Sequence, residues 1–251
     1  MAKALVTGAS SGIGEAFARH LAKMGYDLIV VARREERLRE LAEKVDVDVQ
    51  VVVADLSDNA GIEAVEAIIQ ENDDIAFLVN NAGFNRVGHF AEVDLEHHLG
   101  MIRLHLDASV RLMYAVIPQM KATKSGAIIN VASIGGLIPM PGSATYNATK
   151  AFLVSFSESV AVELKEYGIV VQVLCPGFTR TEIFEKNDYE MNDVPDLAWM
   201  SADEVAITSL QAIASKRFQV TPGIHNQLAW RLMKIPMFRY LFKRYTNTSL
   251  R

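Results

Sequence analysis

Tyr146 and Lys150 stand four residues apart in Tyr146-Asn147-Ala148-Thr149-Lys150, with Ser133 a short way upstream. A four-residue step on a helix rises about 6 Å and keeps both side chains on one face, so an ammonium can lie beside a phenol. A free tyrosine titrates near 10, and a neighbouring cation stabilises the phenolate, moving it toward values useful for acid-base chemistry at neutral pH. The pair alone recurs by chance on amphipathic helices. A second cluster makes chance a poor explanation here: Thr7-Gly8-Ala9-Ser10-Ser11-Gly12-Ile13-Gly14 near the N-terminus. Its glycines permit a tight turn and a close backbone approach, and its N–H groups and the following helix end can face a pyrophosphate. No Lys-Ser/Thr follows Gly14, which argues against a nucleoside-triphosphate loop. Arg33 and Arg34 stand where an acidic residue would otherwise hold two ribose hydroxyls. A guanidinium there can bond a 2′-phosphate and stack on adenine, which favours NADP(H) over NAD(H). For Arg34 a solvated helix start is an equal reading. Asp55, in Ala54-Asp55-Leu56, is placed either to accept from an adenine amino group or to cap a helix. Asn80-Asn81-Ala82-Gly83 offers a polar turn suited to a ribose.

The elements that must position these residues alternate in type. Ala4-Val6, Leu28-Val31, Val49-Val53, Ala76-Val79, Ile128-Val131 and Val170-Leu174 read as fully buried strands, and Phe218-Val220 as a short seventh. Helical spacing runs over Ile13 to Met24, Glu35 to Val45, Asn59 to Gln70, Asp94 to Lys121 and Ala144 to Tyr167, with Gly25 and Gly168 as stops. Such βαβ alternation predicts an α/β fold with a parallel sheet, helices on both faces and function at the strand C-termini.

With these motifs in order and at matching spacings, residues 3 to about 222 resemble the compact branch of the short-chain dehydrogenase/reductase family, together with Pro176-Gly177-x-x-x-Thr181. The resemblance implies a Rossmann-like, doubly wound sheet of strand order 3-2-1-4-5-6-7 and hydride transfer between nicotinamide and a carbonyl or alcohol carbon. It implies Tyr146 as proton donor, Ser133 as partner of the substrate oxygen, and Lys150 as the group that lowers the tyrosine pKa and holds the nicotinamide ribose. Thr179 and Thr181, beside Pro176 and Gly177, are expected to hold the carboxamide. Gly8, Ser10, Ser11, Gly12, Ile13 and Gly14 would carry the phosphates; Arg33, Arg34, Asp55 and Leu56 the adenosine end; Asn81, Ala82 and Gly83 the central ribose. The family usually has asparagine in the long helix before Ser133, where this chain has Leu104-His105-Leu106. His105 is therefore read either as a proton relay or as a packing residue. His97-His98 read as solvated, and Cys175 as packing rather than nucleophile.

The chain has 251 residues, half of them hydrophobic, with a net charge of −5 and one cysteine. That composition excludes disorder and an internal disulfide, argues weakly against nucleic acid, and with no apolar run near ~20 residues predicts no membrane span. The expectation is one catalytic domain over 1–251, cytoplasmic, without a metal. Residues 181–200 read as a polar substrate lid bearing Glu182, Glu185, Asp188, Glu190, Asp193 and Asp196, with Ile183, Phe184, Leu197, Trp199 and Met200 as apolar contacts. The lid suggests an apolar ketone, aldehyde or acyl-type substrate. Beyond Glu204 there is no carboxylate and eight Lys or Arg, so 224–251 reads as a basic extension with an amphipathic helix from Pro236. Packing on this chain or a partner subunit is favoured over an anionic membrane surface. A homodimer or homotetramer is expected from the family. Two rivals are a 3-oxoacyl-carrier-protein reductase, disfavoured by Phe84-Asn85-Arg86-Val87-Gly88, and a catalytically idle NADPH-binding or redox-sensing module, disfavoured by the presence of both Tyr146 and Lys150.

Overall fold

The computed structural model describes residues 1–185, 195–235 and 237–238. Seven parallel strands form one sheet in the order β3-β2-β1-β4-β5-β6-β7. They are β1 Lys3–Thr7, β2 Asp27–Ala32, β3 Val49–Val53, β4 Ile75–Asn80, β5 Gly126–Val131, β6 Ile169–Leu174 and β7 Gln219–Val220. Because successive side chains alternate between faces, an apolar run supplies two cores at once. Ala4, Val6, Leu28, Val30, Phe77 and Val79 face one layer; Leu5, Ile29, Val31 and Leu78 face the other. The first layer is closed by helices α1 Gly12–Lys23 and α2 Glu35–Ala42, through Phe17, Leu21 and Leu38. The second is closed by α3 Asn59–Glu71, through Ile62 and Val65. Each such fully buried large side chain contributes roughly 1.5–3 kcal/mol. The strand order reverses between β1 and β4, and the crevice at that point holds the candidate site.

Several expectations need correction. β3 is the sheet edge, so it is only half covered and Val53 is 51% exposed. α2 stops at Ala42 rather than Val45. The helix expected over Asp94 to Lys121 is present without a break, running as α4 Leu95–Ile102, a π-helical turn at Arg103–Asp107, and α5 Ala108–Thr123; only the π turn was not expected. The wider π turn falls where His105 enters the interior, and such turns are frequent at functional sites. Helix α6 covers Ala144–Leu164, then a 3-10 turn runs to Tyr167 and Gly168 ends it at φ +72°.

Residues 181–185 and 195–200, the described ends of the expected lid, carry short structured elements. Helix α7 covers Glu182–Glu185, a 3-10 turn covers Asp196–Ala198, and Thr179 bridges to Met200, tying the two ends together. Asp188, Glu190 and Asp193 lie outside the described residues. Helix α8 Ala202–Ala214 was not foreseen; Ser201 and Glu204 cap it reciprocally, and Val205 and Leu210 complete the first core. Helix α9 Ile224–Leu232 occupies the start of the basic extension, whereas the helix expected from Pro236 falls almost wholly outside the described residues. No described helix is long and apolar enough to cross a membrane.

Candidate functional site

The end of β1 turns into α1 through the glycine loop, and two glycines there have no substitute. Gly12 has φ +58° and a Cβ would sit 2.8 Å from Thr181 Cγ2; a Cβ on Gly14 would lie 2.3 Å from the backbone oxygen of Gly8. The loop is therefore a cradle of bare backbone at a helix N-terminus, which fits a pyrophosphate. Thr7 fastens it to β4: its hydroxyl donates to Val79 O at 3.2 Å and accepts from Asn81 N at 2.9 Å and Ala82 N at 3.0 Å. The Asn81 amide donates to Thr7 O and Gly8 O, so that side chain braces the loop as well as bordering the cleft.

One cleft of about 310 Å³ runs along the strand ends. It gathers Gly8, Ser10, Ser11, Gly12, Ile13, Arg33, Arg34, Asp55, Leu56, Asn81, Ala82, Gly83, Ser133, Tyr146, Lys150, Pro176, Gly177, Thr179 and Thr181. Two expected residues are absent from its wall: Gly14 acts behind the loop, and His105 behind Gly83. Thr179 and Thr181 donate locally, to Gly177 O and Thr179 O.

At the adenosine end the two arginines diverge. Arg33, 69% exposed, pairs with Asp55 at 3.3 Å. Burial alone would raise the Asp55 carboxyl, but hydrogen bonds from Ser57 and the Arg33 charge hold it below the usual range. Asp55 caps no helix; Asp58 caps α3 through Gly61 N. Arg34 folds over the glycine loop, donating to Ser10 Oγ at 3.0 Å, Ser11 Oγ at 2.8 Å and Glu182 Oε2 at 2.7 Å. The solvated reading of Arg34 is thus set aside. The Glu182 contact joins residues 148 apart, which no local pattern announces.

At the other end, Ser133 leaves β5 and caps a 3-10 turn by accepting from Gly135 N, while Tyr146 is hydrogen-bonded to Ser133. Lys150 is 4% exposed and donates to Val131 O at 2.8 Å, its nitrogen 5.6 Å from the centre of the Tyr146 ring. Burial pushes the lysine down to about 8. Burial also pushes the Tyr146 phenol above its ordinary value, with the Ser133 bond opposing. The expected depression of the phenol is therefore not found in this state: Lys150 is anchored to a backbone carbonyl, and removal of the ring from water dominates.

His105 is 1% exposed, and both ring nitrogens are engaged. Nε2 accepts from Phe84 N at 3.2 Å, so the proton is on Nδ1, which donates to Thr149 Oγ1 at 2.8 Å; Thr149 in turn donates to Tyr146 O. Burial, then the Lys150 charge, holds the imidazole well below the usual histidine range. Thr149 lay inside the quoted motif, yet its partner is on another helix. His98 corrects its expectation: it is 8% exposed, sits between Phe90 O at 3.1 Å and Thr145 Oγ1 at 2.8 Å, and braces α4 against the start of α6. Cys175 is buried, its thiol pushed up to about 12 by burial. Among the described residues no cluster suits a metal.

A family described as short chain dehydrogenase matches residues 2–192. Sulfoacetaldehyde reductase 2 from Chromohalobacter salexigens is 39% identical over 71% of this chain and 73% of its own length. A short-chain dehydrogenase from Sphingobium yanoikuyae, solved in complex with NADPH, superposes with a TM-score of 0.85 at 34% identity, over 93% of this chain and 92% of that one. A bulky-bulky ketone specific alcohol dehydrogenase from Comamonas testosteroni gives 0.81 at 31% identity, over 93% and 91%. The sheet order agrees with these likenesses, and the chain belongs to the short chain dehydrogenase family, an oxidoreductase built around a nicotinamide cofactor.

Proposed function

We propose that this protein is an NADP(H)-dependent oxidoreductase acting on a carbonyl or secondary alcohol carbon of an apolar ketone, aldehyde or acyl-type substrate. The observation that carries the reading is one cleft with Ser133, Tyr146 and Lys150 at one end and Arg34, Ser10 and Ser11 at the other. When bound, the nicotinamide supplies or takes the hydride. The chain's own residues do the rest. Tyr146 gives the proton to the carbonyl oxygen, and Ser133 bonds the same oxygen as charge develops on it. Lys150 brings a positive charge beside the Tyr146 ring and would hold the nicotinamide ribose. Thr179 and Thr181, on the wall of the same cleft, would hold the carboxamide. His105 acts as a neutral brace, holding the Gly83 turn and the backbone of Tyr146 together, rather than as a titrating relay. Phe84, Leu104 and Ile183 border the cleft and favour an apolar substrate. A ketone-specific alcohol dehydrogenase and a dehydrogenase holding NADPH among the similar proteins support this reading, whereas sulfoacetaldehyde reductase 2 is named for a small anionic aldehyde. Within the family's habit, we also read the chain as a homo-oligomer and a cytoplasmic enzyme.

The test is purified protein with NADPH or NADH against a panel of carbonyl compounds graded in apolar bulk. Turnover with NADPH at far lower cofactor concentration than NADH, rising with apolar bulk, is expected. NADPH that binds but is consumed by no carbonyl would replace the reading with an idle binding module.

A further inference from the structure

Arg34 reaches the glycine loop with every nitrogen engaged. Nε and Nη2 donate to Ser10 Oγ, Nη2 also to Ser11 Oγ, and Nη1 to Glu182 Oε2 at 2.7 Å. Each serine hydroxyl that accepts from the guanidinium keeps its own O–H to donate. Arg34, Ser10 and Ser11 together are therefore one cation and two hydroxyl donors on the wall of the cleft, a suitable set for a phosphate dianion. Glu182 borders the same cleft, and its side chain is only 29% exposed. Its neighbour Thr181 packs its methyl on Gly12, where a Cβ would come within 2.8 Å, so the segment bearing Glu182 lies against the glycine loop.

The geometry points to Glu182 as a specificity-determining residue that competes with the cofactor's 2′-phosphate for Arg34. The proposal rests on the NADP(H) reading and deepens it. A dianion arriving beside Ser10 and Ser11 meets a guanidinium already shared with a carboxylate, and two like charges on one cation repel. A ribose 2′-hydroxyl meets no such repulsion. Glu182 thus restrains the preference that the two arginines create, and the two ligands of Arg34 are linked reciprocally: a phosphate that gains Arg34 weakens the Arg34–Glu182 contact, and the contact weakens phosphate binding.

The test needs no substrate. Dissociation constants for NADPH and NADH, and for adenosine 2′,5′-bisphosphate and 5′-AMP as probes of the phosphate alone, are measured calorimetrically at fixed ionic strength on the whole protein and on Glu182→Gln. Glutamine keeps the shape and the acceptor oxygen while removing the charge. NADPH and the bisphosphate are expected to bind about tenfold tighter, while NADH and AMP stay within about twofold, which also shows that the fold is intact. In an Arg34→Ala background the substitution should lose its effect, since the competition has no object. Unchanged or weaker NADPH binding in Glu182→Gln, or an equal gain without Arg34, overturns the proposal. The NADP(H) reading is judged separately, by the NADPH to NADH ratio of the unaltered protein.

Discussion

Tyr146 and Lys150 are desolvated in opposite chemical senses, and the pH behaviour follows. Burial raises the phenol above its ordinary value, while Lys150 is brought down from 10.5 to about 8. Carbonyl reduction needs the proton on Tyr146 and benefits from the Lys150 charge, so its rate is expected to be level below about pH 8 and to fall above it. The oxidative direction needs the phenolate and should rise with pH. Lys150→Met should erase the limb near 8. The same shift has a stability sign: between about 8 and 10.5 the unfolded chain binds the extra proton on Lys150, so that contribution makes unfolding harder as pH rises, while above 9.0 the raised Cys175 thiol acts in the opposite sense; denaturant titrations between about 8 and 9 should show a smaller rise in Lys150→Met than in the unaltered protein. Tyr146→Phe should retain cofactor affinity and lose roughly 100-fold or more in kcat, the usual worth of a positioned acid. Near-normal turnover in that variant would remove Tyr146 from the chemistry. Because His105 is held neutral by burial, no limb near 6.5 is expected, and His105→Asn should leave the profile in that range unchanged while altering kcat through the Tyr146 backbone. A limb near 6.5 that disappears on substitution would restore the relay.

At the scale of elements, the site depends on how closely β1, α1 and β4 approach. Gly14 has the backbone oxygen of Gly8 where its Cβ would stand, and backbone does not give way as a flexible side chain does. Gly14→Ala is expected to lower the melting temperature and abolish cofactor binding together, measured by thermal shift with and without NADPH. A variant with unaltered binding would mean that the loop is more plastic than this packing implies. The π turn serves the same end from the other side, giving the α4–α5 span the extra residue that turns His105 inward toward Thr149 and Phe84.

Across the whole molecule, apolar surface is left on the two helices flanking the second core. Tyr114 on α5 is 82% exposed, and on α6 Val162 is 74% exposed with Phe152 stacked on Phe156 at 5.4 Å. If the protein assembles as the family resemblance implies, these faces offer the apolar surface for it. Tyr114→Glu combined with Val162→Glu should reduce the mass measured by light scattering while leaving the folded chain's affinity for NADPH unchanged, because neither residue borders the cleft. A mass equal to that of the unaltered protein would place any assembly on another surface.

The alternation of strands and helices, the two-faced core, the glycine cradle and the Tyr146-Lys150 pair were legible because they rest on local rules: period-two burial on both faces, glycine where backbone meets backbone, and a four-residue step on one helix; the strand order came only through the family resemblance. Composition and spacing alone determined that a dinucleotide cradle and a Tyr-Lys pair share one chain. The tertiary structure decided what each group could do once there. Edge placement exposed Val53, desolvation reversed the direction of the Tyr146 shift, and a contact between residues 148 apart divided Arg34 between serine hydroxyls and Glu182. Protonation, charge sharing and edge exposure depend on neighbours distant in sequence and on the local dielectric, and a linear pattern carries neither.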